Sequence, residues 1–287
     1  DHSPSPLMLA ASGGHLEAVR ALVQAKASVR PVDSLHTNAL HLAAAGGHVG
    51  VIELLLSDAA GAPRDARTLN KWSAVHHAAF HGHVPAIQTL ARHGASLNLK
   101  DRWSRTPLVW AVFNAHFQAA EYLIGAGARL LEGGEHGRNQ PQLARQRRFG
   151  NRWSPTIMLA VQAVLKGDRA GDDPAWPCGV LDLLLKHRET LSIKIDAADA
   201  DGRTALHQAC MDQADDPDPN SVNGSEVESE MDGMPSSNMT TLVGDASNAG
   251  RHTAEQQAAQ SESRIGAVIE RLLQAGATAN VRDLGGS

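Results

Sequence analysis

Three stretches decide how this chain folds: Asn38-Ala-Leu-His-Leu-Ala-Ala, Ser73-Ala-Val-His-His-Ala-Ala and Thr106-Pro-Leu-Val-Trp-Ala-Val. Working outward, Ser5-Pro-Leu-Met-Leu-Ala-Ala precedes them, and Pro155-Thr-Ile-Met-Leu-Ala-Val and Thr204-Ala-Leu-His-Gln-Ala-Cys follow. The openings fall at 5, 38, 73, 106, 155 and 204, giving steps of 33, 35, 33, 49 and 49. Behind each comes a second apolar run, such as Val19-Arg-Ala-Leu-Val, Val51-Ile-Glu-Leu-Leu-Leu, Ala120-Glu-Tyr-Leu-Ile and Val180-Leu-Asp-Leu-Leu-Leu. The apolar spacing is helical, and short polar or glycine-containing turns separate the runs. A pair of short helices cannot bury its apolar face alone. Recurrence in phase therefore predicts that neighbouring pairs stack on one another.

The pattern resembles the ankyrin repeat: Thr-Pro-Leu-His-x-Ala-Ala, then Gly-His, an apolar helix, Gly-Ala and an Asp or Asn. That resemblance covers nearly the whole chain and implies an all-α solenoid of paired antiparallel helices with β-hairpin finger loops, one array over 1–287. The residue types have physical reasons. Thr or Ser at the opening caps the first helix, and Pro suits its first turn. Gly46-Gly47-His48 and Gly82-His83 mark tight turns between helices. Asp33, Asp101 and Asp199 each stand five residues before an opening, at the start of a finger. Asp283 would place a further opening at 288, so the sequence reads as six repeats trimmed from a longer protein.

Composition agrees with this reading. Aromatic residues make up only 3% of the 287, which fits thin helices cored by Ala and Leu. No apolar run approaches the ~20 residues of a membrane span. Two cysteines, Cys178 and Cys210, are too few for a disulfide framework and favour a reducing, intracellular setting, cytoplasmic or nuclear. Three surplus stretches interrupt the period: a basic finger at 131–152, a loop at 166–178, and an insertion at 211–263. The last holds eleven acidic residues, one Arg and no aromatics, and is expected to be disordered because it buries too little apolar surface. Within it, Ser225 and Ser229 each precede an acid by three residues, which makes them candidate phosphorylation sites whose phosphate would compete for arginines elsewhere.

Fifteen histidines raise the question of a metal. His41, His76 and His207 occupy the repeat's Thr-Pro-Leu-His slot, which the resemblance assigns to hydrogen-bonding the finger backbone. His15, His48, His83 and His116 occupy its Gly-His turn. That leaves His77 and His81, four apart, without a third ligand at sensible spacing, so no metal and no cofactor are expected. Phosphate-cradling glycine loops, nucleophile elbows and paired-carboxylate motifs do not occur, and no catalytic residue is expected.

The resemblance also implies where partners bind: at the finger tips and the inner ends of the first helices. Carried over slot by slot, this selects Leu69, Asn70, Trp72, Phe80 and His81 in the third repeat and Arg102, Trp103, Arg105, Phe113 and Asn114 in the fourth. The same slots in the second repeat hold only Ser34, Leu35, Thr37, Ala45 and Gly46. In a chain with four Phe and five Trp, four of these nine, Trp72, Phe80, Trp103 and Phe113, fall on the selected slots of adjacent repeats. Trp and Arg dominate interface hot spots, although a finger tryptophan can equally pack on its neighbour. Trp110 replaces a residue the resemblance makes core. The expected function is a monomeric protein-interaction scaffold for a protein or peptide, acidic in character, with nucleic acid disfavoured and no membrane span. The alternatives are a substrate-recruiting region of a larger enzyme (ubiquitin ligase, kinase or acyltransferase) and an architectural spacer.

Overall fold

The computed structural model describes residues 4–29, 32–57, 59–130, 156–166, 179–198, 202–210 and 254–279. These fall into two compact units, residues 4–129 and residues 130–279. The first holds four helix pairs: α1 Pro6–Ser12 with α2 Leu16–Gln24, α3 Ala39–Ala45 with α4 Val49–Leu56, α5 Ala74–Phe80 with α6 Val84–Arg92, and α7 Pro107–Phe113 with α8 Phe117–Gly125. Each first helix begins one residue past a repeat opening. First helices pack in the series α1, α3, α5, α7, and second helices in the series α2, α4, α6, α8. The second unit contains α9 Thr156–Lys166, α10 Gly179–Lys186, α11 Ala205–Cys210 and α12 Ala254–Gln274, with α9 packing on α10, α11 and α12. Among the described residues every regular element is helical. In the first unit the described fingers are hydrogen-bonded turns rather than strands.

Openings act as caps. The Asn38 side chain accepts from the His41 N–H at 3.0 Å, while His41 Nδ1 accepts from the Asn38 N–H at 3.1 Å. Ser73 with His76 and Thr204 with His207 repeat the backbone half of this exchange, each at 3.1 Å. Interior columns are filled by Leu7, Leu40, Val75 and Leu108 and by Ala11, Ala44 and Ala79, all buried. Small alanines let successive first helices approach closely, and the larger aliphatics close the space between pairs.

A second ladder runs through the turns. His48 Nε2 donates to the Ser12 carbonyl at 3.0 Å, His83 to Ala45 at 2.9 Å and His116 to Phe80 at 3.0 Å. Each turn histidine thus satisfies an orphan carbonyl at the end of the preceding repeat's first helix. Close approach of the ring explains the glycine: Gly47 has φ +69, and a Cβ there would lie 2.8 Å from the His83 ring.

The long insertion needs one correction. Helix α12 reaches back to Ala254, taking in residues 254–263 that were expected to lack order. That stretch reads Ala-Glu-Gln-Gln-Ala-Ala-Gln-Ser-Glu-Ser, dominated by strong helix formers, so it extends the helix N-terminally. The remainder of the insertion, the other two insertions apart from Lys166 at the end of α9, Ser225, Ser229 and Cys178 lie outside the described residues.

Candidate functional site

The fingers of the first unit are built on side-chain oxygens. Asp33 Oδ1 accepts from the N–H groups of Leu35 at 2.9 Å and Thr37 at 2.7 Å, closing the turn between them. Asp101 Oδ1 does the same for Trp103 and Arg105, both at 2.8 Å. Between these fingers, Thr68 Oγ1 takes the Trp72 N–H at 3.1 Å. Successive fingers are linked edge to edge: the Leu69 N–H donates to Leu35 O and the Arg102 N–H to Asn70 O, each at 2.9 Å. From the helix side, His41 Nε2 donates to Ala66 O at 2.9 Å and His76 Nε2 to Arg105 O at 3.3 Å. Finger position is therefore tied to the first helices through neutral imidazoles.

Burial lowers the His41 and His76 pKa values to about 4. Their tautomer gives the same answer locally. With Nε2–H donating, Nδ1 must stay a bare acceptor for the cap N–H, and a second proton there would face the Asn38 or Ser73 N–H head on.

Above this frame repeats three and four carry a continuous aromatic cluster. Trp110 is its hub. Its ring centroid lies 4.8 Å from Trp72, 5.6 Å from Phe80, 5.7 Å from Phe113 and 6.4 Å from Trp103. Arg105 places its guanidinium carbon 5.1 Å from the Trp110 centroid, a cation–π contact. Asp101 Oδ2 accepts from Trp110 Nε1 at 2.9 Å, so one carboxylate closes the fourth finger and anchors the hub indole. Burial raises the Asp101 pKa, against the hydrogen bonds from Arg105 and Trp110 that lower it.

The ten residues selected from the sequence divide into a buried and an open set. Trp72 is buried, 7% exposed, and packs on His77 at 5.1 Å and Phe80 at 5.3 Å. Asn114 is buried, and its Nδ2 donates to Phe80 O at 2.9 Å. Leu69 is 52% exposed, Phe113 36% exposed, and Arg102 is exposed. Asn70, Phe80, His81, Trp103 and Arg105 are half-buried along the cluster's edge. Trp110 is buried, as expected, yet the slot rule left it out of the site it organises. Its signal was the column four residues past each opening, which runs Leu9, Leu42, His77, Trp110.

Among the described residues, no three His, Cys, Asp or Glu side chains converge to hold an ion. His77 lies between His41, at 5.4 Å, and Trp72, and burial lowers its pKa well below the usual value. His81 meets Phe80 edge-on at 5.1 Å and stacks on His83 at 5.9 Å.

The family described as Ankyrin repeats (3 copies) matches residues 1–63 and 59–132. Human cyclin-dependent kinase inhibitor 2A is 32% identical over 137 residues, which cover 48% of this chain and 83% of that protein. The chain belongs to the ankyrin-repeat family. A Caenorhabditis elegans homologue of transient receptor potential cation channel subfamily A member 1 is 30% identical over 44% of this chain. Palmitoyltransferase AKR1 from Debaryomyces hansenii is 26% identical over 42% of it. The aligned region spans 10% of the channel homologue and 16% of the palmitoyltransferase. Among the described residues no helix is long and apolar enough to cross a membrane.

Proposed function

We propose that the chain is a protein-interaction scaffold that receives a partner protein or peptide on the concave face of repeats three and four. One observation carries this reading: Trp72, Phe80, Trp103, Trp110 and Phe113 form one cluster whose edge includes exposed Phe113 and half-buried Trp103 and Phe80. Aromatic area held rigid by its neighbours binds at low entropy cost. Leu69, Asn70, His81, Arg102, Arg105 and Asn114 complete the surface. Asn114 acts from beneath, by holding the Phe80 backbone, and buried Trp72 packs on the Phe80 ring. A relative named for inhibiting cyclin-dependent kinases supports a binding role without chemistry of its own.

A pull-down from the source cell, quantified by mass spectrometry, tests the assignment. Trp103→Ala with Phe113→Ala removes open aromatic surface and leaves the buried hub. The pair should lose the recovered partners while keeping the circular dichroism spectrum. Unchanged recovery with the fold intact removes the proposal.

A second reading is favoured by the likeness to a palmitoyltransferase: the same face recruits substrate for a catalytic domain elsewhere in a longer chain. Acyl transfer in immunoprecipitates of the full-length protein, lost with Trp103→Ala and Phe113→Ala, would decide for it.

A further inference from the structure

Three observations on the repeat three and four face concern what it binds, and all rest on that face being the interface. The first is charge. Residues 61–130 hold eight Lys or Arg and three Asp or Glu, whereas residues 1–60 hold three and five. Two of the three carboxylates are already spent within the fold: Asp65 accepts from the Ser96 N–H at 2.9 Å, and Asp101 serves its finger and the Trp110 indole. Arg102, exposed at the finger tip, has no ion pair among the described residues.

The second is the filled ring. Arg105 already occupies one face of Trp110, so a cationic ligand would have to displace a guanidinium and meet Arg102 beside it. An anion meets neither obstacle.

The third is a set of unspent polar atoms. Trp72 Nε1, both ring nitrogens of His77, and His81 Nε2 are buried without a hydrogen-bond partner. The Trp72 and His77 side chains are each 7% exposed. A buried polar group left unmade is costly, and an indole N–H can only donate, so what satisfies Trp72 is an acceptor. Phe80 packs on Trp72 at 5.3 Å and His81 on Phe80 at 5.1 Å, and both are half-buried, so a rotamer change on binding can open this layer.

We infer that the occupant is an acidic polypeptide segment, with carboxylates held by Arg102 and Arg105 and a further acceptor oxygen taken by the Trp72 indole. Selection of displayed random 12-residue peptides on the full chain, followed by fluorescence polarisation of the recovered peptides, tests this. Recovered sequences should be rich in Asp and Glu. Their affinity should fall at least tenfold for Arg102→Gln with Arg105→Gln, about threefold or more for Arg102→Gln alone, and about fivefold for Trp72→Phe, which keeps a ring and removes only the N–H donor. Affinity should also drop between 50 and 300 mM salt. Arg20→Gln, on α2, serves as control and should change nothing. Because Arg105 packs on Trp110, the Arg102→Gln variant keeps the test decisive if the double variant unfolds.

Neutral or basic peptides that depend on Phe113 but ignore both arginines and Trp72→Phe would overturn the acidic occupant and leave the interface standing. Recovery of no peptide that depends on this face would overturn both. Arginine-dependent retention of single-stranded RNA, with no acidic peptide recovered, would overturn it in favour of a nucleic acid.

Discussion

Repeats one and two share their scaffold with repeats three and four and share little of their concave surface. One residue before the opening, the columns read Pro4 and Thr37, then Trp72 and Arg105. Four past it they read Leu9 and Leu42, then His77 and Trp110; seven past it, Ser12 and Ala45, then Phe80 and Phe113. The interior columns do not change in this way: Leu7, Leu40, Val75 and Leu108 are all buried aliphatics. Interior positions satisfy neighbouring helices, so stacking constrains them in every repeat. In these other columns the step adds a buried part, Trp72, His77 and Trp110, which packs within the fold, and an open edge, Phe113 with half-buried Phe80, which the stack does not require.

The contrast is sharpest in the column that ends in Trp110. Trp110→Ala should destabilise the first unit by about 3–5 kcal/mol, since it empties a buried hub and leaves Asp101 Oδ2 without its indole donor. Leu9→Ala, at the same slot but 55% exposed, should cost less than about 1 kcal/mol. Urea unfolding followed by circular dichroism measures both. Equal losses would mean that the two halves do not differ as described.

Acid should act next most strongly, through the links that hold fingers to helices. His41 and His76 stay neutral in the fold down to pH about 4, whereas an unfolded histidine gains its proton near 6.5. Their contribution is complete above the unfolded value and is lost as pH falls from there toward 4. The loss between pH 7 and pH 5 should be about 2 kcal/mol for each. His41→Gln and His76→Gln, which keep a side-chain hydrogen-bonding group, should each reduce the difference between unfolding curves at the two pH values. A stability independent of pH over that interval would contradict the neutral-imidazole ladder.

A smaller effect separates turns covered by the next repeat's histidine from uncovered ones. Gly47→Ala forces a Cβ against the His83 ring at φ +69 and should cost about 2 kcal/mol. Gly127→Ala has φ +79 but nothing within 4 Å, and should cost about 1 kcal/mol. Thermal unfolding of the two variants compares them directly. The turn of the fourth repeat already carries a non-glycine in this conformation, Ala115 at φ 57, which shows that the backbone alone tolerates the substitution.

Much of this architecture could be read from residues alone. Six in-phase openings located each first helix, because cap, Pro and Ala-Ala are local requirements of one short helix and its neighbours. The turn histidines and the finger aspartates were legible for the same reason. Trp72 and Asn114 were harder: a slot rule places the backbone, while whether a side chain lies open or folds inward depends on the bulk across the groove. Here Trp110 and Phe80 supply that bulk and draw Trp72 under them. Trp110 was recognised as core but not as the organiser of a site, since its partner Asp101 lies in a finger and nothing in the spacing links the two. The backward reach of α12 was missed because the acidity of the whole insertion outweighed the helix-forming run at its end.

The central claim is that the open edge of the aromatic step between repeats two and three, Phe80, His81 and Phe113, serves binding and not folding. Phe80→Ala, His81→Gly and Phe113→Ala together give repeats three and four the small side chains that Ala45 and Gly46 give repeat two. Polarisation titration of this variant with a peptide selected on the wild-type chain, alongside its thermal melt, is the most direct measurement. A cooperative melt with peptide binding reduced at least tenfold is the predicted result. Full affinity on the flattened face would contradict the account.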